Sequence, residues 1–85
     1  MEEQISRELE AIKKMVQTWK GSYLREAPEN GKAEYLVEDL SQEIRTFVHP
    51  YVRRFLELGY LSESEAREFL DGCDGEVEDL RRIVG

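Results

Sequence analysis

The first third of the sequence has a large apolar residue at every third or fourth position. Steps of 4, 3, 4, 3 and 4 separate the members of this repeat, which are Ile5, Leu9, Ile12, Val16, Trp19 and Tyr23. Because an α-helix makes one turn in 3.6 residues, these side chains fall on one face. The spacing predicts a helix over about residues 2–24, whose apolar face packs either on a second long helix of the same chain or as the seam of a dimer.

A second helical repeat covers residues 33–58 and contains Pro50. A proline inside a helix removes one backbone hydrogen bond and clashes with the preceding turn, at a cost of about 3 kcal/mol or more. The apolar pattern nevertheless keeps its phase, because Val48 and Phe55 are seven residues apart and lie within about 20° on an ideal helix. The pattern predicts one long helix kinked near residues 46–50, or two abutting helices that share a buried face.

Glycine and proline mark the ends of these two helices. Residues 27–32 contain Pro28 and an Asn-Gly pair, and they predict a loop. Gly59 follows the second repeat and predicts its end, because glycine is the usual residue just after a helix C-terminus.

The remaining residues predict two short helices. Ser62 and Glu65 have the spacing of a capping box, in which each side chain binds the other residue's backbone amide. Gly72 is predicted to end the first short helix, and Asp74 to cap the second. No segment has the alternating pattern of a strand. We therefore expect an all-α single domain over residues 1–85, a compact bundle of four to five helices with a short C-terminal helical pair.

The chain is acidic, with 19 acidic and 12 basic residues and a formal net charge of −7. Nucleic-acid binding depends on basic side chains that neutralise phosphates, and anionic lipid repels an acidic surface, so neither partner is expected. Residues 59–85 hold eight of the acids and three of the bases. This clustering predicts a docking face for a basic protein surface, and solubility alone is the other explanation.

No catalytic group, metal site or cofactor site is expected from the residue types. His49 and Cys73 are the single histidine and the single cysteine. Zinc normally takes four ligands, mainly from these two types, and a Cys–His nucleophile also needs an orienting third group. The acidic segment 71–79 does not fit a calcium-binding EF-hand, because placing either of its glycines at the sixth position leaves a non-ligand residue at the first.

The predicted C-terminal pair has the spacing of a helix-turn-helix, the motif that places its second helix in DNA. That second helix would begin with three acids, Glu76, Glu78 and Asp79, next to the phosphates. Their charge has the wrong sign for this role. A helix-turn-helix-like regulator that binds nucleic acid as a dimer therefore remains the alternative function.

The leading hypothesis is a non-catalytic protein-interaction module, such as an accessory or regulatory subunit. A cytoplasmic location is expected, because the chain has one cysteine, no signal peptide pattern and no membrane-length apolar run. A homodimer is an open alternative to a basic protein partner. The candidate partner-binding residues are five acids and two aromatic residues near helix ends: Glu63, Glu68, Glu76, Glu78, Asp79, Trp19 and Tyr60.

Overall fold

Three long helical rods make up the computed structural model, which describes residues 3–26 and 34–84. No strand occurs in these two ranges, so the all-α prediction is confirmed. The predicted loop at residues 27–32 lies outside the described part of the chain. Within that part the bundle has three helices instead of the predicted four or five.

The second rod is continuous through three helical segments and is called the central helix below. The elements in chain order are α1 (Glu3–Glu26), α2 (Glu34–Glu43), a π-helical turn (Ile44–Val48), α3 (His49–Glu57) and α4 (Glu63–Val84). α2, the π turn and α3 together form the central helix.

The contacts define the directions of the three rods. Tyr51 in α3 meets Glu8 near the start of α1, whereas Tyr23 near the end of α1 meets Glu43 at the end of α2. The central helix therefore runs antiparallel to α1. Ser6 and Glu65, both near the starts of their helices, line one groove between α1 and α4, so these two helices run parallel. The bundle measures 46 × 17 × 17 Å.

The π turn keeps one face of the central helix in the core. Leu40, Ile44, Val48 and Val52 follow at steps of four, and all are 0–1% exposed. On a regular α-helix, a line of side chains that repeats every four residues turns about the helix axis by about 120° over three repeats. A π turn holds one extra residue and takes up about 100° of this rotation.

Pro50 lies directly after the π turn, in the first turn of α3. A proline is tolerated there, because a backbone N–H at a helix start needs no partner within the helix. Just before it, the N–H of His49 donates to the carbonyl of Ile44, five residues back. The predicted irregularity at residues 46–50 is thus a π turn at residues 44–48, and the chain stays helical through it.

The apolar face of α1 is buried within one copy of the chain, as the intramolecular interpretation predicts. Ile5, Leu9, Ile12 and Val16 are all buried, and Trp19 and Tyr23 are packed against the same core. α1 packs mainly against α4 and less extensively against α2. The predicted main neighbour was the second long helix, so the pairing with α4 corrects that prediction.

The turn between the central helix and α4 has the predicted chemistry. Gly59 has a positive φ of 79°, which glycine adopts at little cost. The amide of Ser62 donates to Glu65 Oε1 at 2.9 Å, and the amide of Glu65 donates to Ser62 Oγ at 3.1 Å. These bonds lower the pKa of the Glu65 carboxyl. The predicted capping box is therefore confirmed.

The predicted pair of short C-terminal helices is wrong, because α4 is one helix of 22 residues. Gly72 does not end a helix, and Asp74 does not begin one. The buried residues continue at helical spacing across this segment: Ala66, Cys73, Val77, Leu80 and Val84. Burial of this continuous stripe outweighs the cost of two helical glycines, about 0.5–1 kcal/mol each relative to alanine.

Replacing Gly72 and Gly75 with alanine is expected to stabilise the protein by about 0.5–1 kcal/mol at each site. A Cβ atom added at either glycine meets no atom within 4 Å, so the gain in helix propensity carries no steric cost. Urea unfolding of the two single variants measures the effect. Gly59→Ala is the matched control: it must lower the stability, because its backbone φ is positive.

Candidate interaction surface

Five aromatic residues form two groups of contacting rings along one side of the bundle. We call these five residues, Trp19, Phe47, Tyr51, Phe55 and Tyr60, the aromatic strip. The rings of Trp19 and Phe47 are 6.2 Å apart, those of Tyr51 and Phe55 are 4.9 Å apart, and those of Phe55 and Tyr60 are 6.2 Å apart. Phe47 and Tyr51 are four residues apart on the central helix, a spacing that makes the two groups neighbours on its surface.

Three members of the aromatic strip are largely open to solvent. Phe47 is 60% exposed, Tyr51 is 44% exposed and Tyr60 is 46% exposed. Two further exposed apolar residues extend the surface: Leu58 follows Tyr51 by seven residues, and Met15 precedes Trp19 by one turn of α1. The chain has eight aromatic residues in all, so most of them lie in this one row.

The position of the aromatic strip follows from the register of the central helix. Phe47 and Tyr51 each come one residue before a buried valine, Val48 or Val52. Neighbouring residues on a helix point about 100° apart. Burial of the valines therefore directs the two rings to the edge of the central helix that adjoins α1.

Hydrogen bonds anchor the sides of this surface. The Tyr51 hydroxyl donates to Glu8 Oε2 at 2.6 Å, and this bond is the main cause of a raised pKa for Tyr51. Beyond the Trp19 end, the half-buried hydroxyl of Tyr23 donates to Glu43. Burial is the largest cause of the strongly raised pKa of Tyr23, followed by the Glu43 carboxylate. Both phenols thus stay protonated donors at neutral pH.

The predicted partner-binding residues fall into two groups in the structure. Trp19 and Tyr60 belong to the aromatic strip, at its two ends. The five acids all lie on α4, and Glu63, Glu68 and Glu78 among them are exposed. The aromatic strip itself contains no residue of α4, so the structure does not bring the two groups together on one helix.

Two of the five acids bind a lysine of the same chain. Lys20 Nζ lies 2.6 Å from Glu76 Oε2 and 3.7 Å from Asp79 Oδ2, and it joins α1 to α4. The side chains of Lys20 and Glu76 are each 18% exposed. Asp79 also pairs with Arg82. Glu76 and Asp79 therefore connect two helices, in addition to any role in docking.

A groove between α1 and α4 is lined in part by Cys73. Its volume is about 430 Å³, and its other lining residues include Lys13, Glu68 and Phe69, with no histidine. Burial, with smaller effects of Asp74 and Glu76, raises the pKa of the Cys73 thiol to about 11. The thiolate that would react is therefore scarce at neutral pH.

Three further observations concern metal binding, membrane crossing and similarity to known proteins. In residues 3–26 and 34–84, no three His, Cys, Asp or Glu side chains lie close enough together to hold a metal ion. None of the helices in the same ranges combines the length and the apolar composition needed to cross a membrane. Comparison of the chain with protein-family models, curated proteins and solved structures finds no match.

Sequence reasoning missed Phe47, the most exposed ring of the aromatic strip, and assigned most aromatic residues to the core. The sequence feature that marks the buried face of the central helix is the run Leu40, Ile44, Val48 and Val52. Its equal steps of four define the buried line better than the aromatic residues do. On a regular α-helix, Phe47 and Tyr51 would each lie within about 20° of Leu40 and so close to the buried line. The extra residue of the π turn keeps Val48 and Val52 in the core and moves the two rings to its side.

Proposed function

We propose that this protein is a non-catalytic protein-interaction module that binds its partner through the aromatic strip. The observation that supports the proposal is the exposure of Phe47, Tyr51 and Tyr60 in one row. Aromatic residues dominate the energetics of protein interfaces, because they bury much area with few rotatable bonds.

The size of the exposed surface supports the same proposal. A large aromatic side chain buries about 150–250 Å². With about half of each side chain open at Phe47, Tyr51, Leu58 and Tyr60, and somewhat less at Met15, the surface amounts to roughly 500 Å². Apolar patches of about 300–600 Å² are the largest found on typical monomers and are often functional.

The acids of α4 have a supporting role in this proposal. Glu63, Glu68 and Glu78 are exposed and add negative charge to one helix. Such a field raises the association rate with a basic partner surface and does so less at high salt. A cytoplasmic setting is part of the proposal, because the single thiol, Cys73, is free and buried.

No observation favours the nucleic-acid alternative. A helix-turn-helix needs two helices joined by a turn, whereas residues 63–84 form one helix. The three acids that would face the phosphates lie within one turn near the C-terminal end of this helix, and two of them bind Lys20.

Site-specific photo-crosslinking in the source cell tests the proposed function. A benzophenone side chain replaces Phe47 or Tyr60 in the aromatic strip, and Arg67, an exposed residue of α4, provides the control position. We expect a discrete protein adduct from positions 47 and 60 and none from position 67. Absence of an adduct at both positions of the strip, or an equal yield at position 67, would overturn the proposal.

A further inference from the structure

We propose that the aromatic strip pairs with the same strip on a second copy of this chain, in an antiparallel two-fold dimer. This inference rests on the proposed function and names the partner. The argument uses the charges that flank the exposed rings of Phe47 and Tyr51 along the central helix, and the area of the strip.

Charges of opposite sign flank the two exposed rings of the central helix, Phe47 and Tyr51. Asp39 and Glu43 precede Phe47 by two turns and one turn of the central helix, and both lower the potential around Tyr23. Arg54 follows Tyr51 by three residues and precedes Leu58 by four. Residues three or four apart are neighbours on a helix surface, so Arg54 lies beside the strip between Tyr51 and Leu58.

These charges are arranged almost symmetrically about the exposed rings. Glu43 lies four residues before Phe47, and Arg54 lies three residues after Tyr51. A two-fold axis between Phe47 and Tyr51 therefore places Arg54 of one copy opposite Glu43 of the other, twice. A two-fold interface presents the same patch from both copies, so each patch must complement itself. A parallel arrangement would instead put like charges side by side.

Arg54 is free to make this contact. It forms no ion pair within residues 3–26 and 34–84, whereas Arg7, Arg81 and Arg82 each pair with a neighbouring acid. Two copies with a net charge of −7 repel each other over most of their surfaces. The exposed rings are neutral, and the Glu8 carboxylate beside Tyr51 accepts a hydrogen bond from that residue's hydroxyl, so contact through the rings adds little to this repulsion.

The available area sets the strength of the dimer. Roughly 500 Å² from each copy gives a total near 1,000 Å², the lower limit for a specific interface. Interfaces of this size form weak or transient complexes. We therefore expect a dissociation constant on the order of 10⁻⁵ M.

Sedimentation equilibrium of the full chain, from about 1 µM to about 1 mM, is the first test. We expect a monomer–dimer equilibrium, which Phe47→Asp abolishes while the far-ultraviolet circular dichroism stays helical. Arg67→Glu on α4 is the matched control and must leave the equilibrium unchanged. A parent chain that stays monomeric over this range overturns the inference, as does a Phe47→Asp variant that stays folded and dimeric.

Two charge reversals test the antiparallel geometry. Arg54→Glu alone and Glu43→Arg alone each place two like-charged pairs in the dimer, and each should raise the dissociation constant at least about tenfold. An equimolar mixture of the two variants restores two opposite-charge pairs, so it should form a heterodimer. Failure of the mixture to associate better than either variant overturns the antiparallel arrangement.

The crosslinking and sedimentation results separate this inference from the proposed function. An adduct between two copies of the chain supports both. An adduct with a different protein at positions 47 and 60, together with a monomeric parent chain, leaves the proposed function standing and overturns the dimer. An amphipathic helix of another protein would then be the occupant of the strip.

Discussion

Leu40→Ala is expected to lower the free energy of unfolding by about 2–5 kcal/mol, the range for removing a buried aliphatic side chain. Leu40 is completely buried, and it lies in the stretch of the central helix that the π turn keeps aligned with the core. A domain of this kind has a total stability of about 5–15 kcal/mol, so the variant is expected to be marginal. Urea unfolding followed by circular dichroism measures the loss.

Leu58→Ala is the matched control for this prediction, because it removes the same atoms from a side chain that is 56% exposed. Measured at low micromolar concentration, it should change the stability by less than about 0.5 kcal/mol. An equal loss at Leu40 and Leu58 would contradict the burial that the structure assigns to the two residues.

Glu76→Lys is expected to lower the stability by at least about 2 kcal/mol, because it places a second ammonium group beside Lys20. Removing one partner of a fully buried ion pair costs about 3–5 kcal/mol, and the remaining exposure of this pair reduces the effect. The swap Lys20→Glu with Glu76→Lys should recover part of the loss. Recovery will be incomplete, since a glutamate at position 20 lies near Asp79.

Glu78→Lys provides the control on the same helix. Glu78 is exposed, and its contact with Arg81, at 3.5 Å, is between two well-solvated side chains. Such pairs contribute little, so the change should stay within about 0.5 kcal/mol. If Glu76→Lys is as mild as Glu78→Lys, the contact between α1 and α4 through Lys20 does not stabilise the bundle. A binding experiment that reverses the charges of Glu76, Glu78 and Asp79 together would therefore combine this loss of stability with any loss of partner binding.

The helices were predictable wherever a long apolar repeat agreed with the local residue chemistry. In α1 the repeat alone was sufficient, and in the turn at residues 58–62 Gly59, Ser62 and Glu65 indicated the observed geometry. The apolar repeat and the local residue chemistry disagreed at residues 72–75. There the glycines and Asp74 favoured a break, and the buried line through Cys73 and Val77 favoured a helix. Burial prevailed because the helix has a core to pack against.

The candidate site was less predictable, because exposure is a property of the whole bundle. A sequence repeat identifies an apolar face, but which neighbour covers its edge depends on how the helices pack. Trp19 and Tyr60 were found because they lie near helix ends, whereas Phe47 is exposed through the register of a π turn. The pairing of Lys20 with Glu76 likewise depends on α1 lying parallel to α4.

The parallel orientation of α1 and α4 also determines how far apart the two ends of the bundle lie and how the bundle would respond to a pulling force. Glu3 and Val84 lie at opposite ends of an elongated molecule, 46 Å in its longest dimension. Fluorophores attached at these two positions would report the full length of the rod, and a pull on them would load α1 and α4 in shear along their shared groove. A domain inserted into another protein through these ends would act as a spacer that holds the two flanking parts apart.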